Sequence, residues 1–328
     1  MYQQFIVLFG LIMTGYICKK RNIIDDSMGR GMNKFIISIA YPCLILDRMG
    51  NLEMPEGIFK NFLITAVASA ILFLVIGVCA YIYCNVRGYN KEDAPVVEFA
   101  IFAPNNGFIG FPVAYTFFGD LGLLYMIACN LSLNFIFFTY GIKLMKRGRE
   151  PYKKSFFKKT AEMLGLLINP KISAAFVGLL LCNMDIQIPH MINTYLSYIG
   201  GIASPMAMIF IGSTLANCRL RDTLRNNYVI EASVGKLLAA PAISVFFVCI
   251  MAGFCEMVLP QGLVHLDPLV KAVLVLGNAI SVATTVPMFS EMYGRNKELA
   301  SQILFMTTVA SMVTIPITVW LMGKMFYV

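Results

Sequence analysis

Charge and reactive side chains are scarce in this sequence. Asp, Glu, Lys and Arg make up 13% of its 328 residues, against roughly 25% in a typical soluble domain. Only His190 and His265 supply imidazoles, and no HExxH, GxSxG or Walker A motif is present, which argues against an intramembrane enzyme or an ATP-driven pump. The nine cysteines form no CxxC pair and are expected to be small buried hydrophobes. We therefore expect no catalytic residues, cofactor or metal.

Apolar residues are what the sequence has in abundance. They make up 58% of the chain, with 25 Phe, 21 Met and a mean hydropathy of +0.73. A helix needs about 20 largely apolar residues to cross the hydrocarbon core, so these values predict an all-α membrane protein. The first ten residues lack the features of a cleaved signal peptide, so the first span is expected to be retained. The apolar runs predict ten spans, at residues 4–18, 32–49, 60–84, 94–118, 121–145, 168–184, 192–217, 228–255, 268–292 and 298–325.

Positive charge separates the loops into two groups. Of the 26 Lys and Arg residues, 21 lie in or beside alternate loops, four lie on the opposite side, and Lys236 is inside span 8. The positive-inside rule then places the loops after odd-numbered spans in the cytoplasm and both termini outside the cell. The central basic loop, 146–167, is either an amphipathic helix on anionic lipid or a solvated tether. Because the positive charges follow topology and form no basic face, no nucleic-acid partner is expected.

Two of the predicted spans are interrupted. Residues 104–112 read PNNGFIGFP inside span 4, and residues 278–287 read NAISVATTVP inside span 9. The last proline of each interruption is followed seven residues later by a glycine, Gly119 and Gly294 respectively. In hydrocarbon such breaks persist only where they are buried in protein or line a cavity. A matched pair of broken helices in the two halves of a membrane protein indicates a transporter's binding site.

Crossing the two interruptions near the bilayer centre would build a site for an anion. Half-helices that begin at a break direct unpaired N–H groups and positive dipole ends inward, which attracts a carboxylate. We expect the amide and hydroxyl side chains at the breaks to bind substrate, namely Asn105, Asn106, Ser281, Thr284 and Thr285. The residues expected to shape the crossover and act as hinges are Pro104, Gly107, Gly110, Pro112 and Pro287.

Several of these residues have a second interpretation. Asn105 and Asn106 could cap the next half-helix, whether or not they also bind solute. Thr284 and Thr285 could bond to carbonyls of their own helix. The glycines could permit close approach of helices.

Four charged residues, Asp47, Glu98, Glu231 and Lys236, lie within or near the ends of predicted spans, where a lipid-facing charge is costly. Glu98 and Asp47 are candidates for coupling transport to an ion, with structural pairing or interfacial snorkelling as alternatives. Glu231 and Lys236 are five residues apart and do not face each other well on one helix. A pair of Glu98 with Lys236 across two helices is a further alternative.

The central loop divides the chain into two halves of five spans, 1–145 and 168–328, joined by residues 146–167. An odd number of spans makes the halves enter the membrane from opposite faces, so inverted repeats are predicted. The halves also share a mid-span proline motif, IAYP at 39–42 and IASP at 202–205.

In its motifs and their order, the chain resembles the auxin efflux carrier family, which includes plant PIN-type carriers and bacterial malate-permease-like transporters. The resemblance covers nearly the whole length. The residues that carry it are Asn33, Lys34, Phe35 and Pro42 in span 2, Pro104, Asn105, Gly110 and Pro112 in span 4, Asn169 and Pro170 at span 6, and Pro205, Gly212 and Leu215 in span 7.

The resemblance implies ten helices in two inverted five-helix repeats with broken crossover helices 4 and 9, related to the bile-acid/sodium symporter architecture. Helices 1, 2, 6 and 7 would form a scaffold that often dimerises, and helices 3–5 and 8–10 a mobile transport domain. In plant members the crossover asparagine contacts the substrate carboxylate, a role that passes here to Asn105. No proline precedes Ala283, where plant members have a Pro-polar-Gly element, so auxin is not the expected substrate.

The function expected from the sequence is secondary transport of a small organic anion, a carboxylate, by elevator-type alternating access. The short central loop is typical of bacterial members, so we expect a multi-pass protein of the bacterial cytoplasmic membrane. Expected partners are the carboxylate substrate, the lipid bilayer and a second copy bound through the scaffold helices. Alternatives are an ion-coupled symporter of a non-carboxylate metabolite, and a membrane sensor or channel built on the same fold.

Overall fold

The computed structural model describes residues 2–50, 57–148, 170–184, 188–216, 223–258 and 266–326. These residues are almost entirely helical, and the β-structure among them is a single bridge between Pro104 and Val282. Most of the predicted central loop, 146–167, lies outside the described residues. The all-α prediction is therefore confirmed for the described part of the chain.

The helices of the first half follow the predicted spans. They are α1 (Tyr2–Lys20), α2 (Asp26–Phe35), α3 (Tyr41–Gly50), α4 (Ile58–Arg87), α5 (Ala94–Phe102), α6 (Phe111–Ile136) and α7 (Ile142–Met145). Wider π-helical turns occur at Ile36–Ala40, Asn106–Gly110 and Phe137–Gly141. The helix of span 2 begins before residue 32, because the Asp25 carboxylate caps α2 by accepting the Met28 N–H at 2.6 Å.

The second half contains eight further described helices. They are α8 (Pro170–Asn183), α9 (His190–Gly201), α10 (Ala203–Leu215), α11 (Asn227–Val234), α12 (Ala240–Val258), α13 (Pro268–Ala279), α14 (Thr285–Met292) and α15 (Lys297–Phe326). A π-helical turn, Gly235–Ala239, joins α11 to α12. Predicted span 9 is thus two helices, α13 and α14, with five residues between them.

Five helical segments are long and apolar enough to cross a membrane: Ile58–Arg87, Asn106–Met145, His190–Leu215, Asn227–Gly253 and Lys297–Phe326. The segment that begins at Asn106 has 40 residues, about 60 Å at 1.5 Å per residue and twice the roughly 30 Å hydrocarbon core. Gly119 divides it, with φ 66° and ψ −155°, between predicted spans 4 and 5. The described helices therefore form a multi-pass protein, and the count of ten spans stays a prediction.

The chain groups into two compact units. Unit 1 consists of Met1–Lys60 and Tyr152–Asn217, and unit 2 of Asn61–Pro151 and Cys218–Val328. Unit 1 therefore contains α1–α3 and α8–α10, whereas unit 2 contains nearly all of α4 together with α5–α7 and α11–α15. Each unit draws helices from both halves of the sequence.

In unit 1, α1 packs along α10 with glycines at the closest approach. A Cβ atom at Gly15 would collide with the backbone of Ile209, and one at Gly212 with the backbone of Ile12. Only glycine lets the two backbones come this close, as in other small-residue interfaces of membrane helices.

Unit 2 is built around α15 and a cluster of aromatic rings. α15 packs against α5, α11, α13 and α14. Phe99 of α5 stacks on Phe289 of α14 with 5.5 Å between ring centroids and meets Phe137 edge-on at 5.1 Å. Such pairs contribute about 0.5–1.5 kcal/mol each beyond the burial of their area. The cluster holds α5, which leads into the first interruption, against α14, which leads out of the second.

Candidate binding site at the helix crossover

The two interruptions lie side by side as a short antiparallel pair of extended segments within unit 2. The N–H of Asn105 donates to the Ser281 carbonyl at 2.8 Å, and the N–H of Ala283 donates to the Ala103 carbonyl at 2.9 Å. These two bonds flank the bridge between Pro104 and Val282 and satisfy backbone groups that the broken helices release. Backbone pairing therefore replaces the hydrogen bonds of a continuous helix at the point where the segments meet.

A third helix completes the crossing. The N–H of Val282 donates to Oγ1 of Thr307 on α15 at 3.2 Å, and the Thr307 hydroxyl donates to the Ile303 carbonyl at 2.8 Å. Thr307 is fully buried. Sequence reasoning missed this residue, because a threonine inside an apolar span gives no signal beyond its own polarity.

The first interruption is shorter than the sequence predicted. The helix resumes at Asn106 as a π-helical turn, so Gly107 and Gly110 lie within a helix, and Pro112 is the second residue of α6. Of the residues from 104 to 112, Pro104 and Asn105 alone are outside the helix. The prediction that all of 104–112 is broken was wrong, because the wider turn leaves room for the Pro112 ring.

The predicted spacing of proline and glycine has a structural counterpart in both halves. Pro287 is the third residue of α14, a position whose N–H needs no partner within the helix. Gly119 and Gly294 follow the two half-helices with φ of 66° and 65°. Glycine adopts a positive φ without steric cost, so each half-helix is followed by a glycine with a positive φ.

Of the two roles considered for Asn105, helix capping is observed and substrate binding stays a prediction. Its Oδ1 accepts the Phe108 N–H at 3.4 Å and so caps the half-helix. Its Nδ2 makes no hydrogen bond with the described residues, although the side chain is only 3% exposed. The capping interpretation is therefore correct for the oxygen and leaves the amide nitrogen as a buried donor.

Asn106 is fully buried, and neither its amide nitrogen nor its amide oxygen has a partner among the described residues. It lies against α13, where a Cβ atom at Gly277 would be 3.7 Å from Nδ2 and 3.8 Å from Oδ1. Gly110 is a close-approach position, since a Cβ there would be 3.1 Å from the Ile280 side chain. Asn278, which follows Gly277 on α13, was not predicted to bind, yet its buried Oδ1 also has no partner among the described residues.

The hydroxyls of the second interruption are also available. Ser281 is fully buried and its Oγ has no protein partner in the described part of the chain. Thr284 and Thr285 are half-buried at the start of α14, and Thr284 does not cap this helix through its side chain. The alternative in which these two threonines bond to carbonyls of their own helix is not observed.

Five polar atoms that lack a partner in the described part of the chain are therefore concentrated at the crossover: Nδ2 of Asn105, both amide atoms of Asn106, Oδ1 of Asn278 and Oγ of Ser281. A buried donor or acceptor left unsatisfied costs about 1–3 kcal/mol. Native proteins rarely retain such groups without a reason such as a ligand or an ordered water. The donors among these atoms, the two amide nitrogens and the Ser281 hydroxyl, lie beside the start of two half-helices, an arrangement suited to a carboxylate.

The candidate coupling residues lie apart from each other. The fully buried Glu98 pairs with Arg147, which follows α7, at 2.5 Å, so the considered pair of Glu98 with Lys236 is not formed. Asp47 belongs to unit 1, where it is 5% exposed and lies 3.4 Å from Arg48. Asp47 and Glu98 therefore do not form one ion site within either unit, and a coupling role for either stays a prediction.

Comparison with known proteins gives matches along the whole chain. The family model described as membrane transport protein matches residues 1–320. An "Uncharacterized transporter" of Methanothermobacter thermautotrophicus is 25% identical over 94% of this chain and 93% of its own length. A protein of Rhizobium meliloti named "Putative malonate transporter" is 24% identical over 94% of this chain and 91% of its own. The "Lysosomal cholesterol signaling protein" of Mus musculus is 23% identical over 71% of this chain but only 28% of its own length.

Proposed function

The chain belongs to the membrane transport protein family, the auxin efflux carrier family that its motifs resemble, and we propose that it carries a small organic anion. The group recognised is a carboxylate, and transport follows alternating access without ATP. The single observation that carries the proposal is the concentration of unpaired buried amide and hydroxyl atoms at the crossover.

The chemistry of these atoms favours a carboxylate. The Asn105 and Asn106 amide nitrogens are donors, and the first N–H groups of the two half-helices add a positive dipole end each. Oxygens of a carboxylate accept several such bonds at once. The relative named for malonate is similar along nearly its whole length, which supports a short carboxylate as the first class to test.

We further propose the arrangement of ten spans in two inverted repeats, with both termini outside the bacterial cytoplasmic membrane. In this arrangement unit 1 is the scaffold through which two copies pair, and unit 2 is the transport domain. The support is that unit 2 contains both interruptions and the whole candidate site, while α1 and α10 of unit 1 pack through glycines. The charge distribution of the loops supports the orientation.

A sensor built on the same fold is the second candidate. The observation that favours it is the similarity to the mouse signalling protein, whose name describes cholesterol signalling and of which this chain matches little more than a quarter. A sensor binds its ligand without moving it across the membrane, so transport separates the two functions.

The experiment is counterflow in proteoliposomes. Purified protein is reconstituted into vesicles that contain unlabelled malonate, and the entry of labelled malonate is measured. Acetate and succinate are tested in the same way as further carboxylates. Malonamide is the neutral control. A carrier should give saturable entry that internal malonate accelerates and malonamide does not. Entry that rises without saturation would indicate a channel, and binding without entry would indicate a sensor. If none of the three carboxylates binds or enters, the carboxylate proposal is wrong.

A further inference from the structure

Lys236 is the most deeply buried cation in the described part of unit 2. It lies on the π-helical turn Gly235–Ala239, inside a segment apolar enough to cross the membrane, and its side chain is 0% exposed. Its Nζ makes no hydrogen bond or ion pair with any described residue. Lys236 is not among the residues of the candidate site at the crossover.

The turn that carries Lys236 packs against three helices, α5, α13 and α15. These are the helices that lead into the two interruptions and supply Thr307 to the crossing. The contact with α5 is close, since a Cβ atom at Gly235 would be 3.1 Å from Cδ1 of Ile101, two residues before Ala103. The turn that carries Lys236 therefore packs against the helices that flank the crossover.

Two acidic residues lie near this turn, Glu98 on α5 and Glu231 on α11, and both already pair with other residues. Glu98 pairs with Arg147 at 2.5 Å, and Glu231 pairs with Arg87 at 2.8 Å and accepts the Tyr89 hydroxyl at 2.5 Å. The remaining described charges on the helices packed against the turn, including the N-caps of α5 and α13, are Asp93, Asp267, Lys271, Lys297, Glu298 and Lys324. None of these charges lies within ion-pair distance of Lys236 in the described structure.

An isolated charge in the membrane interior is costly, and such residues are retained where function needs them. Two half-helix starts already make the crossover electropositive, so the site has an excess of positive over negative groups. A carboxylate bound there would supply the opposite charge that the described side chains do not. Neutral solutes of the same shape would leave the ammonium without a counter-charge.

We propose that Lys236 is a substrate-binding residue whose ammonium is the counter-charge of the carboxylate held at the crossover, so that the carrier selects anions over neutral analogues. This inference rests on the proposed function and adds a cation to a site that the sequence analysis had built from helix ends, amides and hydroxyls. The fully buried Lys236 and the unpaired amides of Asn105 and Asn106 then act on the same solute.

The test compares four purified variants in detergent, with malonate as the probe. Lys236→Met removes the charge at nearly constant volume, Lys236→Gln is a second uncharged variant, and Lys236→Arg restores a cation. The control is Lys171→Met in unit 1, where the ammonium of a similarly buried lysine lies 4.3 Å from the Tyr41 ring centroid. Malonate affinity and apparent melting temperature are measured together on each protein.

We expect both uncharged variants to bind malonate about tenfold or more weakly, the size of a lost charge-assisted hydrogen bond. Lys236→Arg should recover part of that loss, and the Lys171→Met control should bind like wild type. Uncharged variants that fold and bind malonate as tightly as wild type would overturn the inference. A loss that arginine does not recover at all would assign the lysine a role in shape and would also overturn it.

The outcomes separate this inference from the proposed function. If wild type and the Lys236 variants bind malonate equally while Asn105→Ala weakens binding, the crossover site stands and the lysine proposal fails. If wild type binds neither malonate nor the other carboxylates of the panel, the carboxylate function itself fails, and the counter-charge role falls with it.

Discussion

Asn105 offers the sharpest test of the crossover site, because its two amide atoms do different things. Its oxygen caps the half-helix by accepting the Phe108 N–H at 3.4 Å, and its nitrogen is an unpaired donor in a side chain that is 3% exposed. Asn105→Ala removes both functions. Asn105→Asp keeps an acceptor for the cap but replaces the donor with a negative charge.

The structure gives separate magnitudes for the two functions. A hydrogen bond from the amide to an ionised carboxylate is worth roughly 1.5–3 kcal/mol, so its loss should weaken affinity about 10- to 100-fold. Loss of a cap costs about 1 kcal/mol of stability, and the length of the bond to Phe108 places this cap at the weak end. For a chain of this size, 1 kcal/mol corresponds to roughly 2 °C in melting temperature. Affinity and stability should therefore change by distinguishable amounts.

The assay measures malonate binding and apparent melting temperature on each variant. Asn226 supplies a matched control, because it caps α11 of the same unit by accepting the Tyr228 N–H at 3.0 Å. Asn226→Ala should lower the melting temperature and leave malonate affinity unchanged. Asn105→Ala should lose affinity, and Asn105→Asp should lose more, since its carboxylate repels the anion. An Asn105→Asp variant that binds malonate as well as wild type would refute the site assignment.

Three further predictions concern topology, assembly and the crossing itself. A single cysteine placed at Lys154 in a cysteine-free background should react with an impermeant maleimide only after the cells are opened, and labelling of intact cells would contradict a cytoplasmic loop. Crosslinks between two copies should map to unit 1, whereas crosslinks mainly through α5 or α13 would contradict a scaffold interface. Thr307→Val should leave the Val282 N–H unpaired and lower the free energy of unfolding by about 1–3 kcal/mol. Thr307→Ser keeps the hydroxyl and is the control. Equal melting temperatures for the two variants would show that this hydrogen bond contributes nothing to stability.

The composition of the interruptions was enough to locate both of them. Pro104 and Asn105 cannot continue α5, and the polar residues after Ala279 cannot remain unpaired in lipid, so two breaks followed from local chemistry. The extent of the first break did not follow, because a π-helical turn restores the helix at Asn106. Propensity rules describe ordinary helical turns and give no sign that the wider turn will form.

The sequence could not predict which residues on different helices contact each other. Spacing along one chain identifies neighbours three or four residues apart, but it says little about which distant helices meet. For this reason Glu98 was considered with Lys236, whereas the structure pairs it with Arg147 from the turn after α7. Thr307 and the face of α13 beside Asn106 were missed for the same reason.

The backbone pairing of the two interruptions also limits how solute reaches the crossover. A backbone hydrogen bond is worth about 4–6 kcal/mol in an apolar medium where water does not replace it, so separating both rungs would cost roughly 8–12 kcal/mol by the same measure. A barrier increment of this size slows a process by about six to nine powers of ten. The two paired segments are therefore not expected to separate during each transport cycle. On the proposed function, solute would then enter and leave the crossover through changes in the surrounding protein, while the two paired segments stay together.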